Sequence, residues 1–409
     1  MSRSAAAALI VPSGVEAGAA RVLVARALRG FGDGYVSVLL PAYLLALGFG
    51  ELDIGVLSTV ALFGSAIATL SLGAFGNRVP ERRLLAAAAF LMILSGAGFA
   101  GLATFWPLLA VAFFGTLNPS GGDVSVFLPL EHARLAASST GDSRTALFAR
   151  YSLAGSLAGA IGALAAALPE LAARHGLAER LECMRAMFWA YALIGIAVWL
   201  LYRAPSHSPK AVIRPEPLKA SRAIVVKLAA LFSVDAFAGG LLVNSLLVLW
   251  LFERFGMSLT AAAAFFFWTG LLSAGSQLAA APIARRFGLL NTMVFTHIPS
   301  SVFLIAAAVS PNLEVALAFM LLRSALSQMD VPTRSAYVMA VVTPAERPAA
   351  ASFTAVPRSL AAAAGPALTG MLFSAGALAA PLIACGVLKI AYDLALLAAF
   401  RRTAPNLEN

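Results

Sequence analysis

The sequence predicts an all-α polytopic membrane protein. Three observations carry that expectation: the composition, the spacing of the apolar runs and the placement of the basic residues. Of 409 residues, 60% are hydrophobic and only 12% are charged, and the mean hydropathy is +0.87. A soluble domain is about a quarter charged and has too little interior to hide this much apolar side chain. Apolar runs of about 20 residues, long enough to cross a bilayer as helices, recur throughout the chain. Lys and Arg collect in alternate connecting segments, as happens when positive charge sorts to one side of a membrane. The net charge of +10 therefore points to membrane topology and not to a nucleic-acid partner.

Taken in order, the apolar runs give twelve expected spans, at about 22–48, 53–75, 84–104, 107–130, 146–168, 186–202, 224–251, 260–282, 291–309, 314–341, 350–374 and 380–400. The fourth and eleventh carry Gly and Pro, which membrane helices tolerate where neighbouring groups re-satisfy the backbone. Between the sixth and seventh lies the polar stretch 203–222, with Pro205, Pro209, Pro215 and Pro217 among Arg203, Lys210, Arg214, Lys219 and Arg222. Its prolines oppose a helix, so it reads as a cytoplasmic linker joining two six-helix bundles, 1–202 and 223–409. The short apolar stretch after Arg3 is expected to be an uncleaved cytoplasmic tail. Cys183 and Cys385 lie far apart with no CxxC spacing, so no disulfide framework, metal site or cofactor is expected.

With the N-terminus inside, the cytoplasmic segments hold nineteen Lys and Arg, and the outer loops hold four: Arg174, Arg180, Arg185 and Arg254. Both termini are thus expected in the cytoplasm and the chain in the plasma (inner) membrane. The two halves also repeat. Arg144, Ser156, Leu157 and Gly162 recur as Arg347, Ser359, Leu360 and Gly365, each 203 residues later. Asp123-Val124 recurs as Asp330-Val331 at 207, and Asp33 as Asp235 at 202. A duplicated protein with two pseudo-symmetric bundles and a solute path between them is the plan of many secondary transporters.

The loop after the second span reads Gly73-Ala74-Phe75-Gly76-Asn77-Arg78-Val79-Pro80-Glu81-Arg82-Arg83. It resembles the G-x-x-x-D-R-x-G-R-R/K loop of the major facilitator superfamily through Gly73, Arg78 and the pair Arg82-Arg83. Asn77 stands where the family has Asp, and Pro80-Glu81 replaces the usual Gly with one extra residue. Pro282 to Gly288 echoes the loop in the second half. The resemblance covers the whole chain at the level of architecture. It implies twelve transmembrane helices in two six-helix bundles and alternating access, with the first, fourth, seventh and tenth spans lining the solute path. It also implies a gate at the Asn77–Arg78 loop. The fifth span, Gly155 to Gly162, has the small-residue spacing of the family's antiporter motif without its Gly-Pro pair. Independently of the family, that spacing lets two helix backbones approach closely.

Charges inside apolar spans are costly to leave in lipid, so each marks a protein-facing or wet position. On a helical wheel Arg323, Asp330 and Arg334 in the tenth span point within about 20° of one direction. Arg323 falls near mid-membrane. Asp330 and Arg334 lie towards the cytoplasmic end, either as a structural pair or as a gate with Asp123, their counterpart in the broken Asn118–Asp123 stretch. In the first span Arg26, Arg29 and Asp33 share an arc of about 60°. Asp33 is either ion-paired with Arg29 one turn away or a proton-binding carboxylate. Asp235 has Leu231 where Asp33 has Arg29 and so reads as the less compensated carboxylate. Arg323 and Arg358, with Arg29, offer bidentate donors for an anionic solute or neutralise Asp33 and Asp235. Glu131 and His132 are expected in solvent at the membrane edge, His297 as an isolated polar contact, and Lys389–Asp393 as a one-turn bridge.

The expected function is a secondary transporter that moves a small organic solute by alternating access, with protons as a candidate co-substrate at Asp33 and Asp235. Efflux is favoured, because no sugar or amino-acid signature is visible. The alternatives are an uptake symporter for an organic anion and a channel or scaffold. An enzyme is not expected: four scattered histidines, and no HExxH, CxxC or nucleotide-cradling loop, offer no catalytic cluster. The expected surroundings are the lipid bilayer, the solute and protons, with the chain as a monomer.

Overall fold

The computed structural model describes residues 17–75, 78–121, 125–138, 141–203, 218–343 and 346–401, all regular structure among them being helical. We number the helices α1 (Ala17–Ala46), α2 (Glu51–Phe75), α3 (Glu81–Gly101), α4 (Phe105–Phe114), α5 (Phe127–Ala137), α6 (Gly141–Ala165), α7 (Leu168–Arg174) and α8 (Arg180–Arg203). They continue as α9 (Arg222–Gly240), α10 (Asn244–Phe255), α11 (Leu259–Phe287), α12 (Leu289–Ala308), α13 (Leu313–Ser327), α14 (Asp330–Val341), α15 (Arg347–Ser374) and α16 (Ala380–Phe400). Every apolar run expected to span carries one helix or a pair of shorter ones. Among the described residues eight helical segments are long and apolar enough to cross a membrane.

Three expected spans are interrupted, each for a local reason. Between α4 and α5 the chain passes Asn118, whose Oδ1 accepts from the Ser120 amide and hydroxyl at 3.0 and 2.6 Å, and then Gly121 at φ +63°. α4 ends at Gly115, which turns extended, and a side chain that captures its own backbone together with the left-handed Gly121 keeps the following segment out of the helix. Between α9 and α10 the chain turns extended at Val243. The tenth span breaks at Gln328 and Met329, and α14 restarts with Asp330 in its first turn and Pro332 two residues on. Proline lacks the N–H that a helix interior needs but is tolerated in a first turn. The break therefore falls just ahead of Pro332, and Arg323 sits on a different helix from Asp330 and Arg334. The single wheel drawn through all three does not hold across it.

The chain resolves into two compact units. The first comprises residues 1–49, 60–212 and 258–267, the second 50–59, 213–257 and 268–409. Each unit thus takes up a short helix end from the other half of the sequence. In the first unit the Glu170 carboxylate, on α7, accepts from the Thr260 amide at 2.8 Å and its hydroxyl at 3.0 Å, capping the start of α11. In the second unit Thr59 Oγ1 accepts the Ala367 amide at 2.8 Å, just after Pro366.

Glycine positions the deepest contacts. A Cβ at Gly34 of α1 would overlap the Gly159 carbonyl of α6, and one at Gly162 would overlap the Phe31 carbonyl. The small-residue spacing of the fifth span thus serves backbone-to-backbone packing. The second unit repeats this between Gly240 of α9 and Ala362 and Gly365 of α15.

Candidate functional site

Among the described residues, each unit holds a buried ionic cluster. In the first unit Glu131 of α5 is fully buried and takes three donors: Arg29 of α1, Tyr151 of α6 and Tyr202 of α8. The Arg29 guanidinium also lies 4.1 Å from the Phe127 ring centroid. A carboxylate costs too much to bury unless it is paired and hydrogen-bonded, and three donors from three helices meet that need. This corrects two expectations. Glu131 is not in solvent at a membrane edge, and the partner of Arg29 is Glu131 in place of Asp33. His132 next to it packs edge-on to the Phe148 and Tyr151 rings at 5.0 and 5.2 Å. Asp33 is itself buried and accepts from the Tyr191 hydroxyl at 3.2 Å.

The second unit holds a longer chain of charges. Arg334 of α14 donates to Asp330 at 2.6 Å and to Asp235 of α9 at 2.9 Å. Asp235 also accepts from Lys389 of α16 at 2.6 Å. Lys389 lies 3.4 Å from His297 Nε2, and His297 Nδ1 lies 2.9 Å from Asp393 Oδ2. Four helices therefore place Asp330, Arg334, Asp235, Lys389, His297 and Asp393 in one connected line, and all but Lys389 are less than a tenth exposed. Asp235 is the most fully compensated carboxylate of the set, the reverse of its sequence reading. Lys389 turns to Asp235 and not to Asp393, and His297 is a member of the line and not an isolated contact. Asp330 and Arg334, assigned to a gate, join the pathway residue Asp235.

The contacts fit one neutral histidine tautomer best. An ammonium has hydrogens to give and no lone pair, so facing Lys389 makes Nε2 the acceptor and leaves the hydrogen on Nδ1, aimed at Asp393. With His297 neutral, the line carries three carboxylates against two fixed cations. One added proton balances it. That proton at Nε2 would turn the Lys389 contact into one between two cations and put a new donor 3.9 Å from Asp235 Oδ1.

Arg323 and Arg358 stand apart. Each is partly exposed and, among the described residues, neither makes a side-chain hydrogen bond or ion pair. Arg358 sits in the field of Arg334, Asp235 and Asp330, and Arg323 lies beside Cys385. Arg78 is exposed ahead of α3, while Asn77 and Asp123 lie outside the described residues. Glu131, Tyr151, Tyr202, His297, Lys389 and Asp393 are not read as site residues from sequence. The signal available for the last two is their one-turn spacing inside an apolar span, which fixes a shared face but not the partner.

Residues 22–322 match the family model described as Major Facilitator Superfamily. The chain belongs to the Major Facilitator Superfamily. This makes it a membrane transporter and not an enzyme. An uncharacterised membrane protein of Saccharomyces cerevisiae, YJR124C, is 27% identical over 410 residues, covering 91% of this chain and 92% of its own. A crystal structure of a D-xylose–proton symporter superposes with a TM-score of 0.75 at 17% identity, covering 95% of this chain and 98% of that one. The nucleoside transporter NupG superposes at 0.70 with 14% identity, covering 95% and 100%. At such identities these structures share the superfamily fold with this chain, and the fold is what the likeness establishes.

Proposed function

We propose that this secondary transporter is driven by protons and that the His297–Asp393 pair in the second unit is where the proton sits. The observation that carries this is the odd charge of the buried line: three carboxylates, two fixed cations and one neutral imidazole. A proton on His297 would balance the three carboxylates against Arg334, Lys389 and the imidazolium and would place a new donor beside Asp235. Asp235, with Arg334 and Lys389, then passes the change to α9 and α14. The likeness to a proton symporter structure supports the reading at the level of the fold.

The solute is a small organic molecule, and the direction follows from the sign of coupling. Efflux by antiport, favoured by the sequence, needs solute and proton to exclude each other. Uptake by symport needs them to bind together. The two partly exposed arginines, which have no carboxylate partner among the described residues, favour uptake of an organic anion. The Lys and Arg distribution supports a multi-pass arrangement in the plasma membrane with both termini cytoplasmic, and the chain acts as a monomer. Flux into proteoliposomes, measured for a panel of sugars, nucleosides, amino acids and organic acids with and without an imposed pH gradient, tests the reading. Asp393→Asn and His297→Gln should abolish gradient-driven accumulation while keeping solute exchange. Equal gradient-driven accumulation in wild type and both variants would remove the pair from the mechanism.

A further inference from the structure

Outside its buried cluster, the first unit gathers three arginines at one end of a helix pair. α3 and α8 are both long and apolar enough to cross a membrane. They run antiparallel and touch through glycine. A Cβ at Gly96 of α3 would overlap the Ala192 amide and the Phe188 carbonyl of α8, and one at Gly195 would crowd the Ile93 amide. At their shared end Arg82, in the first turn of α3, donates to the carbonyl of Arg203, the last residue of α8. The Arg203 guanidinium folds back to lie 4.3 Å from the ring centroid of Trp199, one turn earlier. Arg83 follows Arg82 on α3.

All three arginines are exposed, and none takes part in an ion pair among the described residues. Arg82 spends one of its five donors on the end of α8, which is an ordinary helix cap. That role accounts for Arg82 alone. Arg83 and Arg203 keep their donors for something outside the chain.

The surface that these arginines border is apolar. On α3, exposed Ala87, Phe90 and Leu94 follow Arg83 within an arc of about 60°. On α8, exposed Leu193, Ile196 and Leu200 lead to Arg203 within about 80°. Measured from the glycine contact, with the helices running in opposite directions, both stripes turn to the same side of the pair. Arg83 to Leu94 is about 17 Å and Leu193 to Arg203 about 15 Å along the axis. Each is roughly the half-thickness of a bilayer's hydrocarbon core. Trp199, half-buried near the arginine end, stands where amphipathic rings collect at head-group depth. A dissolved anion would engage the arginines and leave the stripes unused. A lipid engages both.

We infer that Arg83 and Arg203, joined through Arg82, bind the head group of an anionic phospholipid whose acyl chains lie along the two stripes. Guanidinium groups meet phosphate oxygens with paired donors. A head group with net negative charge complements the three cations, whereas a zwitterionic one brings a cation of its own. The site makes the lipid composition of the membrane a ligand of the transporter, at a place separate from both buried ionic clusters.

The test is native mass spectrometry of the purified full chain, titrated with phosphatidylglycerol and with phosphatidylcholine of the same acyl chains. Glycerophosphate and inorganic phosphate, which carry the charge without the chains, are titrated alongside. Arg82 also caps α8, so the substitutions are Arg83→Gln, Arg203→Gln and the two together, with Arg401→Gln beyond α16 as the control. Wild type should prefer phosphatidylglycerol. Each single variant should weaken its binding about fivefold and the double variant about 25-fold, with phosphatidylcholine unchanged. Arg401→Gln should match wild type. A phosphatidylglycerol with a photoreactive acyl chain should label α3 or α8 along the stripes in wild type and lose that labelling in the double variant. Equal affinity for the two lipids in wild type, unchanged phosphatidylglycerol affinity in the double variant, or an equal loss in Arg401→Gln overturns the site. Glycerophosphate or phosphate bound as tightly as phosphatidylglycerol reassigns the arginines to a dissolved anion and overturns the lipid. Labelling confined to other helices overturns the placement of the chains.

Discussion

At the scale of single residues, the two units handle buried carboxylates differently. Glu131 is held by one arginine and two tyrosine hydroxyls. Its donors are spread over three helices, which suits a fixed tie. Asp235 is held by two cations that each have a second contact, Arg334 with Asp330 and Lys389 with His297. Its partners are shared, which suits exchange. Asp235→Asn is therefore expected to be chiefly a stability variant. Removing one partner from a buried pair leaves uncompensated charge and costs about 3–5 kcal/mol, to be read as a lowered Tm in detergent. His297→Gln and Asp393→Asn, at the end of the line, should lower Tm far less. The wheel and repeat arithmetic finds Asp235 and Arg334 as intramembrane charges but reads Asp235 as uncompensated, because Lys389 and Arg334 are 154 and 99 residues away. Charge placement along one helix is legible in sequence; the partner across a bundle is not.

At the scale of elements, the apolar runs locate the helices well, because a run of about 20 apolar residues has few other outcomes. The breaks are only partly legible. Asn118 to Gly122 and Pro332 advertise trouble, but the restart of α14 ahead of Pro332, and hence the separation of Arg323 from Asp330, needs the backbone. The glycine contacts between α1 and α6 give a clean prediction. Gly34→Leu should destabilise by about 1–3 kcal/mol or prevent folding, because an added side chain meets the Gly159 carbonyl. Gly275→Leu on α11, where a Cβ meets open space, is the control and should leave the yield of folded protein unchanged. A second element-scale device is Glu346, just ahead of α15. Its carboxylate accepts the amides of Lys219, Ala220 and Ser221 at 2.5, 2.9 and 2.9 Å and so ties down the turn that leads into α9. The Ser221 side chain and these amides hold its pKa down to about 2. A depressed carboxylate contributes stability that is complete above its ordinary value near 4.5 and lost as pH falls through about 2. Glu346→Ala should therefore lower Tm at pH 7 and narrow the Tm difference between pH 7 and pH 2.5 relative to wild type.

At the scale of the whole molecule, each compact unit incorporates a helix end from the opposite half of the sequence, 258–267 in the first and 50–59 in the second. The Glu170–Thr260 cap belongs to the first of these exchanges. Glu170→Gln keeps one acceptor oxygen and Glu170→Ala keeps none. The Ala variant should raise labelling of a cysteine placed at Thr260 or Ala261, with the Gln variant between it and wild type. Superfamily membership makes the chain a transporter, and the proton seat we propose at His297–Asp393 makes it a proton-driven one. The measurement that tests this most directly is proton movement into pyranine-loaded proteoliposomes on addition of a transported solute, compared between wild type and Asp393→Asn. The account predicts inward proton flux with solute in wild type, and solute exchange without proton flux in the variant. Solute flux that carries no protons in wild type, or an equal proton flux in Asp393→Asn, would contradict it.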